Sequence, residues 1–358
     1  MKTRLFITFV ITVFAAIGSD NRRNVYCEMK YYSTSKPDIK VSMHEAVTSC
    51  IPQTGGLYMP EALPMVPGAF IHNTSDMTLQ EIAYAMTDVF MGSDISSATI
   101  KKVVDDALSF DTPIVRLSDG LYVLELFHGP TNVFKDIGSR FLAGFFNSLN
   151  PHDGTKLNVL VTTAGNTGMA VAKAFAGKAD MNVFILFPHG SVSRDDIAKM
   201  KSAGTNIHTL EIGGTIDDCR AIVSSAFSDK SLRENVLLTT ANSTNFARLM
   251  PQVALFFYGV GHLANEGVKP AEVDIAVPSG NLGMLTSGLM AKRIGLQCNK
   301  LIAACNANNA FDRFVKTGEL IPMSTVTTYA RLMDMSSPSN LPRLLALSDG
   351  SLENLRSD

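Results

Sequence analysis

The sequence is poor in cysteine. Five occur in 358 residues (Cys27, Cys50, Cys219, Cys298 and Cys305), with no CxxC pair and no metal-ligand spacing. That excludes a disulfide-built scaffold and points to a reduced, intracellular protein, with buried thiols a plainer reading than a reactive Cys219 or Cys305. No block of lysine or arginine stands out and the net charge is −2, which argues against a nucleic-acid partner. Beyond the N-terminal residues no apolar run nears the roughly 18 residues of a membrane span. The spacings Gly-x-Gly-x-x-Gly and Gly-Lys-Ser/Thr are absent, so neither a dinucleotide fingerprint nor a Walker loop is present. There is no internal repeat and no low-complexity segment. What is there is a 46% hydrophobic chain, enough for roughly two compact domains.

The chain begins Met1-Lys2-Thr3-Arg4, then runs mostly apolar from Leu5 to Ile17 before Gly18 and Ser19. That is the layout of a secretory signal peptide, too short for a comfortable span. The other reading is an upstream start codon chosen in error.

Residues 128–136 read His-Gly-Pro-Thr-Asn-Val-Phe-Lys-Asp. A Gly-Pro turn leaves an apolar strand (Tyr122, Val123, Leu124, Leu126, Phe127), and Lys135 then stands at the start of a helix-like run from Ile137 to Leu149. The positive end of a helix and apolar neighbours both disfavour an ammonium. A neutral amine attacks aldehydes, so Lys135 suits Schiff-base chemistry. A surface lysine laid along a helix start is the plainer alternative. His128 reads either as a turn residue bonded locally or as a group beside a cofactor.

Two further segments have the form strand, Gly-Asn turn, helix. One is Leu157 to Gly168, continuing as helix to Ala176. The other is Val273 to Gly283, continuing to Gly295. Such turns let the backbone approach a ligand, and the free N–H groups of the following helical turn form an anion site. Together with Lys135 they point to a phosphorylated aldehyde cofactor.

Strand-like runs alternate with helix-like ones: 159–163, 183–187, 207–212, 236–239, 275–278 and 301–304. Alternation of this kind predicts an α/β fold of parallel sheet covered by helices. Helical periodicity is also present at Leu79 to Phe90 and Ile100 to Leu108. Loops at 150–154 and 267–270 are expected to bound a smaller α/β domain, 151–267. A larger domain would combine 111–150 with 268–358, and the cofactor would lie in the cleft between the two. Residues 29–110 form a separate N-terminal region and 1–28 an extension.

The motifs resemble those of threonine synthases, pyridoxal-5′-phosphate enzymes of the tryptophan-synthase-β-like fold (fold type II). Leu126 to Arg140 is similar to the family's cofactor-lysine segment. Gly55 to Pro60, Thr163 to Gly168, Ala241 to Leu249, Pro278 to Gly283 and Met333 to Asn340 resemble its other signatures, in the same order, between about Met29 and Arg343. Met29 to Thr34 resembles a natural beginning of the family, which favours the mis-assigned start and a cytoplasmic enzyme. Departures are specific. Leu282 replaces the usual Phe of the phosphate loop and Met284 a usual Asp or Asn, while Ala164 stands for Ser and Asn166 for Asp. Residues 187–200 read Phe-Pro-His-Gly-Ser-Val-Ser-Arg-Asp-Asp-Ile-Ala-Lys-Met, where relatives more often carry Lys-Gly-Lys-x-Ser-x-x-Gln, which affects His189, Ser191, Arg194 and Asp196. The family continues past the equivalent of Asp358 to a segment with a Thr that bonds the pyridine nitrogen, so a truncated variant is expected.

The resemblance implies fold type II, with two parallel-sheet α/β domains, the cofactor in the cleft and a helical N-terminal region. It implies conversion of O-phospho-L-homoserine and water to L-threonine and phosphate. Lys135 would bind the cofactor and shuttle protons, and the pyridine ring would store electrons while phosphate leaves. The cofactor phosphate would sit on the N–H groups of Gly280, Asn281, Leu282, Gly283 and Met284, and Asn166 would donate to the ring's phenolic oxygen. Thr163, Ser243, Asn245 and Arg248 would bind substrate, a guanidinium suiting its anions; for Arg248 a helix-surface charge is the alternative. No metal is implied, and monomer and dimer stay open. A phospholyase giving 2-oxobutyrate and an inactive cofactor-binding remnant are the competing functions.

Overall fold

The structure is a computed structural model and describes residues 29–150, 153–321 and 323–358. The N-terminal extension at 1–28, with its signal-like run, lies outside the described residues, as do positions 151 and 152 of the expected boundary loop.

Three short strands open the fold. β1 (Tyr31–Ser33) pairs antiparallel with β2 (Lys36–Val41) on one side and β3 (Tyr58–Pro60) on the other. Two amphipathic helices follow. Thr78 and Glu81 form a reciprocal capping box at the start of helix Leu79–Met91, and Ser96 caps helix Ser97–Ala107. Each turns its apolar face inward, the first through Ile82, Met86 and Phe90, the second through Ile100, Val103 and Val104.

β4 (Ile114–Ser118) and β5 (Leu121–Leu124) make an antiparallel hairpin. The apolar run was expected to stay extended to Phe127, but the strand stops at Leu124 and Phe127 is 49% exposed. β5 pairs only with β4, whose partner residues end at Ile114. Without a ladder, apolar character does not make a strand.

The central element is a parallel sheet of β6 (Leu157–Thr162), β7 (Met181–Pro188), β8 (Ile207–Ile212) and β9 (Leu237–Thr240), in the order β8-β7-β6-β9. Burial alternates along β6, with Leu157, Val159 and Val161 fully inward. The order reverses between β6 and β9, so the loop after β6 opens at a switch point where α/β sheets take their ligands. A second parallel pair, β10 (Asp274–Pro278) and β11 (Lys300–Ala304), carries the other glycine turn.

Helix Lys135–Leu149 packs against helices Ser97–Ala107 and Asn166–Phe175. Its Phe141 and Phe145 stack at 5.4 Å, and Phe146 meets Phe175 of helix Asn166–Phe175 at 6.2 Å. All four phenyl groups are fully buried, each contributing roughly 2 kcal/mol by transfer from water. Helix Met250–Asn265 lies inside the expected 151–267 segment yet packs on helix Leu79–Met91, with Phe257 edge-on to Phe70 at 6.1 Å. Among the described residues no helix is long and apolar enough to cross a membrane, and no cluster of His, Cys, Asp and Glu is arranged to hold a metal.

Candidate active site

Lys135 is the first residue of its helix, and the loop before it is held by an acid. Asp136 is buried and accepts from the Thr131 backbone N–H (2.7 Å) and hydroxyl (2.6 Å). That clamps the Gly-Pro turn and fixes where the lysine leaves the backbone. Asn132 takes the left-handed conformation at φ 56, which asparagine tolerates better than most residues. Lys135 Nζ donates to Thr167 Oγ1 at 2.7 Å. Burial, and then the nearby Arg248 charge, lower the lysine from its ordinary 10.5 to about 7. His128 sits outside this geometry, exposed and bonded to Glu125 at 2.7 Å.

Lys135 opens into a cavity of about 870 Å³. Both glycine turns border it. In the first, Thr163 is buried and its hydroxyl accepts from Gly165 N (2.9 Å) and Gly168 N (3.0 Å), shaping the loop from within. Gly165 has φ 137, open only to glycine at low cost. Asn166 is exposed and is not among the residues lining the cavity; Thr167, one residue on, faces the lysine instead. Thr167 was not expected at the site, and no local signal separates it from its neighbour Asn166 on the same first helical turn.

In the second turn, a Cβ on Gly280 would stand 2.8 Å from Met333 Cα and 2.9 Å from its carbonyl oxygen, so two backbones meet there. Leu282 is left-handed (φ 62) and no side chain caps helix Gly283–Arg293. Its first-turn N–H groups are therefore left for an anion. A hydrogen-bonded knot secures this turn. Asn281 donates to Ser243 Oγ (2.6 Å) and accepts from Ser339 N (2.6 Å), and Asn340 donates to the Asn281 carbonyl (2.8 Å). Fully buried Arg343 reaches the carbonyls of Tyr58, Ser243 and Thr244 from behind. Asp334 accepts from Asn306, Asn308 and Thr328 and so folds the 325–335 segment over the cavity.

The Ala241–Leu249 segment divides in two. Ser243 and Arg248 line the cavity. Asn245 does not. It is fully buried, with Nδ2 donating to the Val47 and Thr240 carbonyls and Oδ1 accepting from Ala247 N. Its expected substrate contact is thus replaced by three bonds to backbone. Arg248 is no helix-surface charge either, being 3% exposed. Nη1 donates to the Ala241 carbonyl at 2.5 Å while Nε has no partner. Burial lowers it to about 10, still a cation at neutral pH. The reactive-thiol alternative gains nothing, because burial pushes the thiols of Cys219 and Cys305 up.

The chain is similar to known proteins. A family model described as "Pyridoxal-phosphate dependent enzyme" matches residues 108–353, and one described as "Threonine synthase N terminus" matches 30–108. The chain is 37% identical to a threonine synthase of Haemophilus influenzae over 316 residues, 88% of this chain and 73% of that protein. It belongs to the threonine synthase family. The solved threonine synthase of Escherichia coli superposes with a TM-score of 0.84 at 35% identity, covering 90% of this chain and 74% of that one. A PLP-bound threonine synthase from Brucella melitensis gives 0.81 at 33%, covering 92% and 72%. Fold type II and pyridoxal phosphate as cofactor follow for this member of the threonine synthases.

The residues present fit that cofactor. An amine that is half neutral near pH 7 faces the cavity, and an uncapped helix start, whose turn is held against the Met333 backbone at Gly280, offers N–H groups for a phosphate.

Proposed function

We propose that this chain converts O-phospho-L-homoserine and water to L-threonine and phosphate. The observation that carries this reading is the pairing, in one cavity, of a lysine lowered to about 7 with a buried guanidinium whose Nε is unpartnered. Pyridoxal phosphate, when bound, supplies the aldehyde for the lysine and the electron sink for charge developing on substrate carbons. Lys135 Nζ then holds and moves protons at the reacting carbons, which its lowered basicity suits near neutral pH. Thr167 Oγ1 keeps that amine in place. Gly280, Asn281, Leu282, Gly283 and Met284 would hold the cofactor phosphate through backbone N–H groups, a function that the Leu282 and Met284 departures leave intact. Arg248 would grip an anionic group of the substrate in bidentate fashion, with Ser243 beside it. Thr163 supports the site by shaping its loop, and Asn166 would meet the ring oxygen only if its side chain turned inward. The smaller unit 151–267 and the larger unit 111–150 plus 268–358 would wall the cleft from opposite sides.

Product analysis with O-phospho-L-homoserine tests the reading. Threonine and phosphate in equal amounts are expected. 2-Oxobutyrate in place of threonine would make the chain a phospholyase, and cofactor binding without phosphate release would make it a binding remnant.

A further inference from the structure

The cavity has a second lobe, at the carboxyl ends of β7 and β8, lined by Ser191, Thr215, Asp217, Arg220 and Ser224. β8 stands two places from β6 in the sheet, so at strand spacing this lobe begins about 10 Å from the loop bearing Thr167. Arg220 brings a cation there. It is half-buried on the second turn of helix Ile216–Ser228, with Nη1 donating to Asp217 Oδ1 at 2.6 Å. The helix start itself offers nothing to an anion. Asp217 and Asp218 occupy its first turn, and Asp218 closes a capping box with Thr215. Ser191 lines the lobe with its hydroxyl donating to the Pro188 carbonyl at 2.8 Å, and His189 is drawn off to Glu211 at 3.0 Å.

A phosphorylated amino acid has two anionic groups. Arg248, fixed beside Lys135, can face only one of them. Arg220 spends one of five donors on a partly exposed partner three residues away, a weak attachment that a phosphate dianion can outcompete or share. We propose that Arg220 is a specificity-determining residue, binding the phosphate of the substrate in this lobe. The inference rests on the function proposed above for its substrate.

The test compares holoenzyme with Arg220→Ala and Arg220→Lys. With O-phospho-L-homoserine, Arg220→Ala is expected to raise KM about 10- to 100-fold, the range for losing a charged hydrogen bond, with a much smaller change in kcat. Inhibition by inorganic phosphate should weaken by a similar factor, and Arg220→Lys should recover part of both. An unchanged KM and unchanged phosphate inhibition in Arg220→Ala, with wild type active, would overturn the assignment. If wild type does not turn over this substrate, the functional reading fails separately, and calorimetry of inorganic phosphate with the holoenzyme decides the lobe. Weaker binding in Arg220→Ala supports it. Equal binding, or none in wild type, refutes it.

Discussion

Replacing Arg248 with methionine should make Lys135 a poorer nucleophile without touching it. At pH 7 an amine titrating at about 7 is about half neutral, whereas one at the ordinary 10.5 is about 0.03% neutral. The site therefore gains on the order of a thousand-fold in reactive amine. Burial is the larger cause of this shift and the Arg248 charge the smaller. Arg248→Met should accordingly move the titration upward while leaving it well below 10.5. The assay is the rate at which apo-protein captures pyridoxal phosphate, followed by absorbance across pH. Wild type should show an inflection near 7, and the variant a higher one. The same shift predicts a stability effect of definite sign. Between about 7 and 10.5 the unfolded chain binds more protons at this lysine than the folded one, so apo-protein stability should rise with pH through that window. Below 7 both states are protonated and the burial penalty on the ammonium is felt in full. A wild-type inflection near 10.5, or a variant whose inflection stays put or falls, would refute the electrostatic account.

Borohydride reduction of the holoenzyme followed by peptide mapping should label the Lys135 peptide, and Lys135→Ala should lose both label and visible absorbance. Gly280→Ala brings a Cβ to 2.8 Å from Met333 Cα, with no flexible side chain to yield. Cofactor affinity measured by equilibrium titration should fall at least tenfold, with about 1–3 kcal/mol lost in chemical denaturation. Asn245→Leu should cost about 2–4 kcal/mol by orphaning three backbone groups. In the fraction that folds, its KM should match wild type, and a selective rise in KM would restore the substrate role expected from sequence.

Periodicity alone located every strand of the two parallel sheets to within two residues, because buried parallel strands are continuous apolar runs between glycine turns. Lys135 was legible for a similar reason, as one lysine between a Gly-Pro turn and an apolar helix. Side-chain direction was not legible. Asn166 and Thr167 are adjacent on the first turn of one helix, about 100° apart, and only the fold decides which of them faces the amine. Asn245 and Arg248 share a motif, yet one is consumed by backbone and the other lines the cavity. The bonds of Asn306 and Asn308 to Asp334 span more than 25 residues and follow no local spacing, so no sequence pattern announces them.

The knot of Ser243, Asn281 and Asn340 joins three stretches that lie about 40 to 100 residues apart along the chain. No short piece of the polypeptide can therefore assemble the proposed phosphate cradle, and its closure must come late, after distant segments have met. Vitamin B6 would then bind only the finished molecule, so its concentration should set the melting temperature. A cell short of the vitamin would have less of this protein standing, as well as less of it working.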